Sequence, residues 1–186
     1  MTDGQLFWIL AAVAVSAHGG ELAWKHADYD KAGAAATTFA FHGESTKLGV
    51  WTTTFEGRAR EGLLAWREDQ GLWHDVVLTM PVAGLDTDSD ARDEKMGEHC
   101  LQASAHPTIV VRLAAPIDPR NPPAEIAATL SVRGRETSVP LRLSRREGTV
   151  EGEGRFKLSA LGIPDPSIAV AKVRDEFTIR FKVALP

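Results

Sequence analysis

The chain has 186 residues, of which 44% are hydrophobic and 25% are charged. This composition is typical of a folded protein and excludes an intrinsically disordered one, and the length suffices for one substantial core. The net charge of −4 argues against nucleic acid as the main partner, because phosphate binding needs a clustered cationic surface. A single cysteine, Cys100, excludes an internal disulfide and a thiolate metal cluster.

The N-terminal segment allows two interpretations. Residues 6–17 form an apolar run that is too short to span a bilayer. The run ends in Val15-Ser16-Ala17, which resembles a signal-peptide cleavage site, but Met1–Gln5 contain Asp3 and no basic residue. Residues 1–17 are therefore either a removed export signal or a retained helix. The first alternative predicts a periplasmic or secreted protein, and the second is compatible with a cytoplasmic one.

Strand patterns begin after residues 18–37, which are rich in Ala and Gly and are interpreted as an N-terminal connector. Alternation of apolar and polar residues predicts the first strands, which cover residues 38–42, 50–55, 62–66 and 72–85. In the last of these, Val76, Leu78, Met80 and Val82 share one face.

One helix is predicted between two strands near the middle of the chain. Residues 87–96 are polar and acidic, which is typical of a helix start with Asp or Ser as the cap. Pro107 ends this segment, and residues 108–113 resume strand alternation. Since the chain otherwise offers many strands, we expect a mostly antiparallel sheet with one inserted helix.

The second half of the chain predicts further strands after a loop at 115–123, whose prolines forbid a central strand. The alternating segments cover residues 126–133, 139–144, 150–158 and 177–185. About eight strands with one apolar face each favour a closed barrel or a sandwich. Gly152 and Gly154 interrupt an apolar face, either to bend the sheet or to leave space for a ligand.

Several motifs in one order carry a family resemblance. The chain resembles the YceI-like family, lipocalin-like barrels that bind polyisoprenoid lipids. The family pattern Leu-x-Thr-x-x-x-x-Arg-Asp, then Pro-Thr-Ile, stands here as Leu85–Asp93 and Pro107–Ile109. Residues 130–134 are similar to the family's Leu-Thr-Leu-His-Gly hairpin, with Arg133 in place of His. Residues 161–163 and 173–179 are similar to its Phe-Gly-Ile and Val-Gly-Asp-Glu-Val-Thr ending.

The resemblance implies a fold and a function for residues 38–186. The implied fold is mainly β, an eight-stranded antiparallel lipocalin-like barrel with one short inserted helix. The implied function is non-catalytic binding and carriage of a long, apolar, polyisoprenoid-type lipid, without a cofactor. An apolar ligand needs an apolar lining and few polar groups. A membrane surface is a further candidate partner during transfer, and the oligomeric state, a dimer included, is left open.

Apolar residues on the predicted inner face are candidates for the ligand-binding lining, with packing of a solid core as the alternative for each. These candidates are Phe39, Phe41, Val76, Leu78, Met80, Ile109, Val111, Phe156, Phe177, Ile179 and Phe181. A filled barrel would instead indicate a structural or interaction module. We expect Trp51, Trp66 and Trp73 at the rim or on the outer face.

Other chemistry has weaker support in the sequence. His99 and His106 with Asp93 could approach one another near the helix end, which is a metal-binding alternative. Cys100 with either histidine could form a nucleophile–base pair, but nothing in the sequence places an oxyanion hole or an orienting acid beside it. We therefore predict neither catalytic residues nor metal ligands. Arg92, Asp93 and Glu94 either cap the helix or contact a ligand head group at the barrel mouth.

Overall fold

A computed structural model describes residues 18–185, and the N-terminal segment with its predicted export signal lies outside them. Within these residues, twelve strands form one antiparallel sheet, and two short α-helices accompany it. The strands are β1 (His18–Lys25), β2 (Thr38–Lys47), β3 (Trp51–Ala59), β4 (Glu61–Asp69), β5 (Leu72–Pro81), β6 (Leu85–Asp86), β7 (Thr108–Leu113), β8 (Glu125–Val132), β9 (Arg135–Arg146), β10 (Thr149–Lys157), β11 (Ala171–Val173) and β12 (Glu176–Ala184). The helices are α1 (Tyr29–Ala34) and α2 (Asp90–Lys95).

The strand order shows that the sheet curls into a barrel-like shape. Neighbours follow the order β1-β4-β5-β7-β8-β9-β10-β12-β2-β3-β6, with β11 added to β2. Strands β3 and β4 lie near opposite ends of this order, yet only Arg60 separates them along the chain. The backbone of Arg60 donates to the Gly84 carbonyl (2.8 Å) and accepts from the His26 amide (2.7 Å). One continuous segment therefore joins the two ends of the sheet.

The prediction of eight strands is wrong in number. The strands that the sequence did not predict are β1, β6 and β11, each of which pairs with a predicted strand. Strand β6 has two residues and β11 has three. Segments this short carry no readable alternation, and only pairing with their neighbours stabilises them.

The stretch interpreted as a connector contains regular structure. Strand β1 pairs with β4 along its whole length, and the Trp24 indole donates to the Ala59 carbonyl (3.3 Å). Helix α1 begins after Asp28, whose carboxylate accepts from the Lys31 amide (2.8 Å). An Ala- and Gly-rich sequence gave no strand signal here because tertiary pairing outweighs local propensity.

The inserted helix and its following strand lie where the sequence places them. Helix α2 continues into a wider turn at Met96–Cys100, in which the Leu101 amide donates to the Met96 carbonyl (2.8 Å). Ser89 occupies the N-cap position, although its side chain makes no capping hydrogen bond. Among the described residues, no helix is long and apolar enough to cross a membrane.

Candidate functional site

A cavity of about 360 Å³ opens inside one end of the curled sheet. Its walls come from β2, β3, β7, β8, β10 and β12, with helix α2 and the loop before β11 closing over it. The lining is mainly aliphatic and aromatic. Exposed lining residues are Lys47, Arg92 and Ile168, so these side chains mark the mouth.

A second apolar cavity of about 70 Å³ lies deeper inside the sheet. Phe39 and Ile179 line both cavities and therefore form the partition between them. A depression of about 400 Å³ also exists near the β4–β5 and β9–β10 turns, where it includes Glu68, Arg120 and Arg145. An apolar ligand fits the 360 Å³ cavity better than this polar depression, despite the similar volumes.

The candidate lining residues divide between the two cavities. Phe39, Phe41, Ile109, Phe156, Phe177 and Ile179 line the large one. Val76, Leu78, Val111 and Phe181 line the small one, together with the shared Phe39 and Ile179. Met80 lines neither, because it is fully buried in the packed core. Alternation identified the inner face of each strand, but it does not tell which end of the barrel a residue reaches.

Sequence reasoning missed many residues of the large cavity. They are Phe55, Leu85, Cys100, Leu101, Leu130, Val132, Leu158, Ile163 and Val173. Leu130 and Val132 had a usable signal, since they alternate with polar residues in β8. The loop residue Ile163 had none, because its place in the wall depends on how the loop folds over the sheet.

Four phenylalanines form a cluster in the wall of the large cavity. The Phe177 ring centroid lies 6.3 Å from that of Phe41, 5.7 Å from that of Phe55 and 6.1 Å from that of Phe156. Aromatic pairs at such distances add to the energy of area burial. The cluster provides a rigid apolar surface facing the cavity.

Glycines opposite aromatic residues let these rings lie flat on the sheet. Phe41 pairs with Gly57 and Phe181 pairs with Gly152, and a Cβ at either glycine would overlap the facing ring. At Gly154, side chains of Leu141 and Val139 occupy the corresponding space. Gly152 and Gly154 therefore provide room for neighbouring side chains, and these side chains occupy the space that one of the two alternatives assigned to a ligand.

Cationic groups surround the mouth of the large cavity. Lys47, Arg92 and Lys95 are in its lining, and none of the described lining residues is acidic. The Arg92 guanidinium also lies 5.7 Å from the centroid of the Phe55 ring. Polar or negatively charged groups of a ligand would therefore find their partners at this end.

Thr87, Arg92 and Asp93, three residues of the Leu85–Asp93 motif, form one hydrogen-bonded unit. Asp93 Oδ1 accepts from the Thr87 amide (3.0 Å) and hydroxyl (2.6 Å). Arg92 donates to the Thr87 hydroxyl through Nε (2.8 Å) and to the Thr87 carbonyl through Nη2 (2.7 Å). Since Thr87 is buried, this unit satisfies its polar atoms and fixes helix α2 against the cavity wall.

Side chains also attach the covering loop to the barrel. Lys95 Nζ donates to the Pro166 carbonyl (2.9 Å), and Arg133 Nη1 donates to the Gly162 carbonyl (2.7 Å). Asp175 accepts from the Ser159 amide (2.8 Å) and hydroxyl (2.6 Å). These bonds lower the pKa of the Asp175 carboxyl from its ordinary value.

The structure places the proposed metal and nucleophile groups in different settings. Burial raises the pKa of the Cys100 thiol, which favours the protonated form, and Cys100 lines the large cavity. Asp93 is engaged by Thr87, and His99 is exposed. Within residues 18–185, no group of three or more His, Cys, Asp or Glu side chains is placed to hold a metal ion.

Two of the three tryptophans expected at the rim or outside are inside. Trp66 and Trp73 are buried and stack with ring centroids 4.1 Å apart, because β4 and β5 are adjacent and both rings face inward. Trp51 is exposed.

A curled antiparallel sheet with an apolar internal cavity and an inserted helix defines a class of barrel-like binding folds. The YceI-like domain model matches residues 30–185, so the chain belongs to the YceI-like family. No curated protein matches the sequence.

Two solved structures share the fold. BcnA from Burkholderia cenocepacia has a TM-score of 0.57 at 17% identity, and the match covers 79% of this chain and 94% of BcnA. A polyisoprenoid binding domain from Saccharophagus degradans, implicated in plant cell wall breakdown, has a TM-score of 0.54 at 12% identity, covering 81% and 99%. At these identities the likeness concerns the fold alone.

Proposed function

We propose that this protein binds and carries an apolar, polyisoprenoid-type lipid without catalysing its conversion. The observation that carries the proposal is the apolar cavity of about 360 Å³ with an open, cationic mouth. Transfer of apolar surface out of water contributes about 25 cal/mol per Å², so an alkyl or prenyl chain gains affinity without any charged contact. The polar end of the lipid lies near Lys47 and Arg92.

Membership of the YceI-like family and the fold shared with a polyisoprenoid binding domain support this ligand class. An isoprenoid chain also suits the lining for a physical reason. It carries no hydrogen-bonding groups along its length, and the inner wall around Phe177 and Leu130 offers almost none.

The cavity volume limits the length of chain that is enclosed. A cavity of about 150 Å³ holds one benzene molecule, and by this measure 360 Å³ holds roughly fourteen carbon atoms, the size of a C15 prenyl chain. A longer lipid would extend through the mouth, or would displace Phe39 and enter the small cavity. We propose transport across an aqueous compartment outside the cytoplasm as the setting of this carriage.

Calorimetric titration of the purified protein with farnesol and geranylgeraniol tests the proposal. We expect saturable one-to-one binding with a negative heat-capacity change, the mark of apolar burial. Binding of neither prenol, nor of a fatty acid of similar length, would favour the alternative of a structural or interaction module.

A further inference from the structure

Large apolar side chains are exposed in one small region beside the cavity mouth. The exposed fractions are 68% for Leu48, 73% for Val50, 63% for Trp51, and 55% each for Ile168 and Val170. Among the described residues, the only other exposed large hydrophobic side chains are Leu63 and Leu72, at 38% each. We name the first five residues the apolar tip.

The apolar tip combines two turns that touch each other. The β2–β3 turn carries Leu48 and Val50, Trp51 is the first residue of β3, and the turn before β11 carries Ile168 and Val170. The Leu48 amide donates to the Val170 carbonyl (2.9 Å), and β11 pairs with β2 beside them. The apolar tip is therefore one continuous surface on two connected turns.

The β2–β3 turn departs from the other hairpin turns of the sheet. Four turns have a residue and a following glycine at positive φ, namely Leu48-Gly49, Gln70-Gly71, Arg133-Gly134 and Glu147-Gly148. Turns of this backbone favour polar residues and glycine. Three of the four have a polar first residue, whereas the turn at the cavity mouth exposes a leucine in the left-handed region. A strained backbone position with exposed apolar surface lowers the stability of the fold, so the leucine points to a role other than folding.

The two segments that carry the apolar tip contain basic side chains and no acidic ones. Residues 45–55 and 166–174 contain no acidic side chain. Their basic residues are Lys47, Lys172 and Arg174, of which Arg174 pairs with Glu44 (2.8 Å). Asp165 lies just outside and accepts from the Ser167 amide (2.9 Å). An apolar, Trp-bearing tip beside unpaired lysines is the combination that enters the head-group region of an anionic membrane.

We propose that the apolar tip docks the protein on an anionic lipid bilayer, with Leu48, Val50, Trp51, Ile168 and Val170 entering the interface. The tip and the cavity mouth are adjacent, because Lys47 and Ile168 line the mouth. Docking by the tip therefore turns the mouth toward the membrane. The proposal extends the proposed lipid carriage by assigning the surface through which lipid would enter and leave.

Co-sedimentation of the full chain with vesicles tests the docking surface. We expect binding to phosphatidylglycerol-containing vesicles and much weaker binding to pure phosphatidylcholine. The variant Leu48→Ser/Trp51→Ser should bind phosphatidylglycerol-containing vesicles about tenfold more weakly, or weaker still. The variant Lys47→Gln/Lys172→Gln should weaken binding to anionic vesicles to a similar degree, about tenfold. The control Leu63→Ser/Leu72→Ser should bind as the unmodified protein does.

Three results would overturn the docking proposal. The first is that the unmodified protein does not bind vesicles, and the second is that the Leu48→Ser/Trp51→Ser variant binds them equally well. The third is that the unmodified protein binds no vesicles but forms a dimer in solution, which this variant converts to a monomer. Farnesol titration separates the two proposals, since the tip variant should keep its affinity for farnesol. If neither the unmodified protein nor any variant binds farnesol while vesicle binding still depends on the apolar tip, the proposal of lipid carriage is overturned and the docking proposal stands.

Discussion

Lys95 bridges helix α2 and the loop that covers the large cavity, by donating a hydrogen bond of 2.9 Å from Nζ to the Pro166 carbonyl. Both residues belong to the cavity lining. The contact joins two segments 71 residues apart in sequence. It holds them together at the edge of the opening, where a ligand would pass.

Removal of this bridge should accelerate ligand release. In Lys95→Met the aliphatic stem is retained and the hydrogen bond is lost, which costs about 1 kcal/mol and corresponds to a roughly fivefold higher dissociation rate. Stopped-flow displacement of a bound prenol by excess unlabelled ligand measures this rate. Lys157→Met, an exposed lysine outside the cavity lining, is the matched control. Equal rates for all three proteins would contradict a gating role for Lys95.

The glycine beneath Phe41 should control the free volume of the large cavity. A methyl group at Gly57 must push the Phe41 ring, which lines that cavity. We expect Gly57→Ala to weaken geranylgeraniol binding by about tenfold at a stability cost of about 1–3 kcal/mol. Calorimetry measures the first quantity and chemical denaturation the second.

Gly152→Ala is the control for this change, because it displaces Phe181, which lines the small cavity alone. Gly152→Ala should lower the free energy of unfolding about as much as Gly57→Ala does, and it should leave the affinity for geranylgeraniol nearly unchanged. Equal losses of affinity in both variants would show that general destabilisation, and not cavity volume, determines binding.

Phe39 should limit the accepted chain length, since it forms the partition with Ile179. Phe39→Ala joins the two cavities, and we expect affinity to shift toward longer prenols at a cost of about 3–5 kcal/mol in stability. A series of prenols from C10 to C20 measures the shift. Met80→Ala, a fully buried change outside both cavities, should be destabilising without altering the length preference. An unchanged preference in Phe39→Ala would contradict the partition.

The acid dependence of stability should include a contribution from Asp175. Hydrogen bonds from Ser159 lower the pKa of this carboxyl in the folded protein, below its unfolded value of about 3.9. The unfolded state therefore binds more protons between the two values, and this stabilisation is present above pH 4 and is lost as the pH falls through the folded pKa.

Asp175→Asn should accordingly lower the free energy of unfolding by about 1 kcal/mol at pH 7 and by less as the pH falls below 4. Urea denaturation from pH 7 to pH 3 measures the difference, with Glu176→Gln as the neighbouring control. A difference that is constant with pH would indicate that the charge of Asp175 contributes nothing.

The sequence predicted the elements whose signal is local. Strand β7 has the bounds predicted for it, Thr108–Leu113, because four consecutive β-branched residues begin there directly after a proline and an Ala-Ala-Pro segment follows the strand. The helix start near Asp90 follows from its acidic first turn. Membership of the YceI-like family was correctly inferred from the order of short motifs, and is confirmed by the match over residues 30–185.

Features that depend on distant partners could not be predicted. Strand β1 exists because β4 lies beside it, and the bend at Arg60 depends on bonds to Gly84 and His26. Alternation with period two identifies the inner face of a strand. It does not show that Val111 lines the small cavity whereas Ile109 lines the large one, because this depends on the position of each residue along the barrel axis. The apolar tip went unnoticed because Leu48 and Ile168 are 120 positions apart in the chain and meet only in the fold.

The central claim is that the large cavity holds an apolar chain, and native mass spectrometry of the protein expressed with its own N-terminal segment tests it most directly. We expect a mass adduct that organic extraction identifies as a prenyl-type lipid, at one molecule per chain, and that Gly57→Ala reduces. A single unliganded mass, together with failure of the protein to take up any prenol afterwards, would contradict the claim.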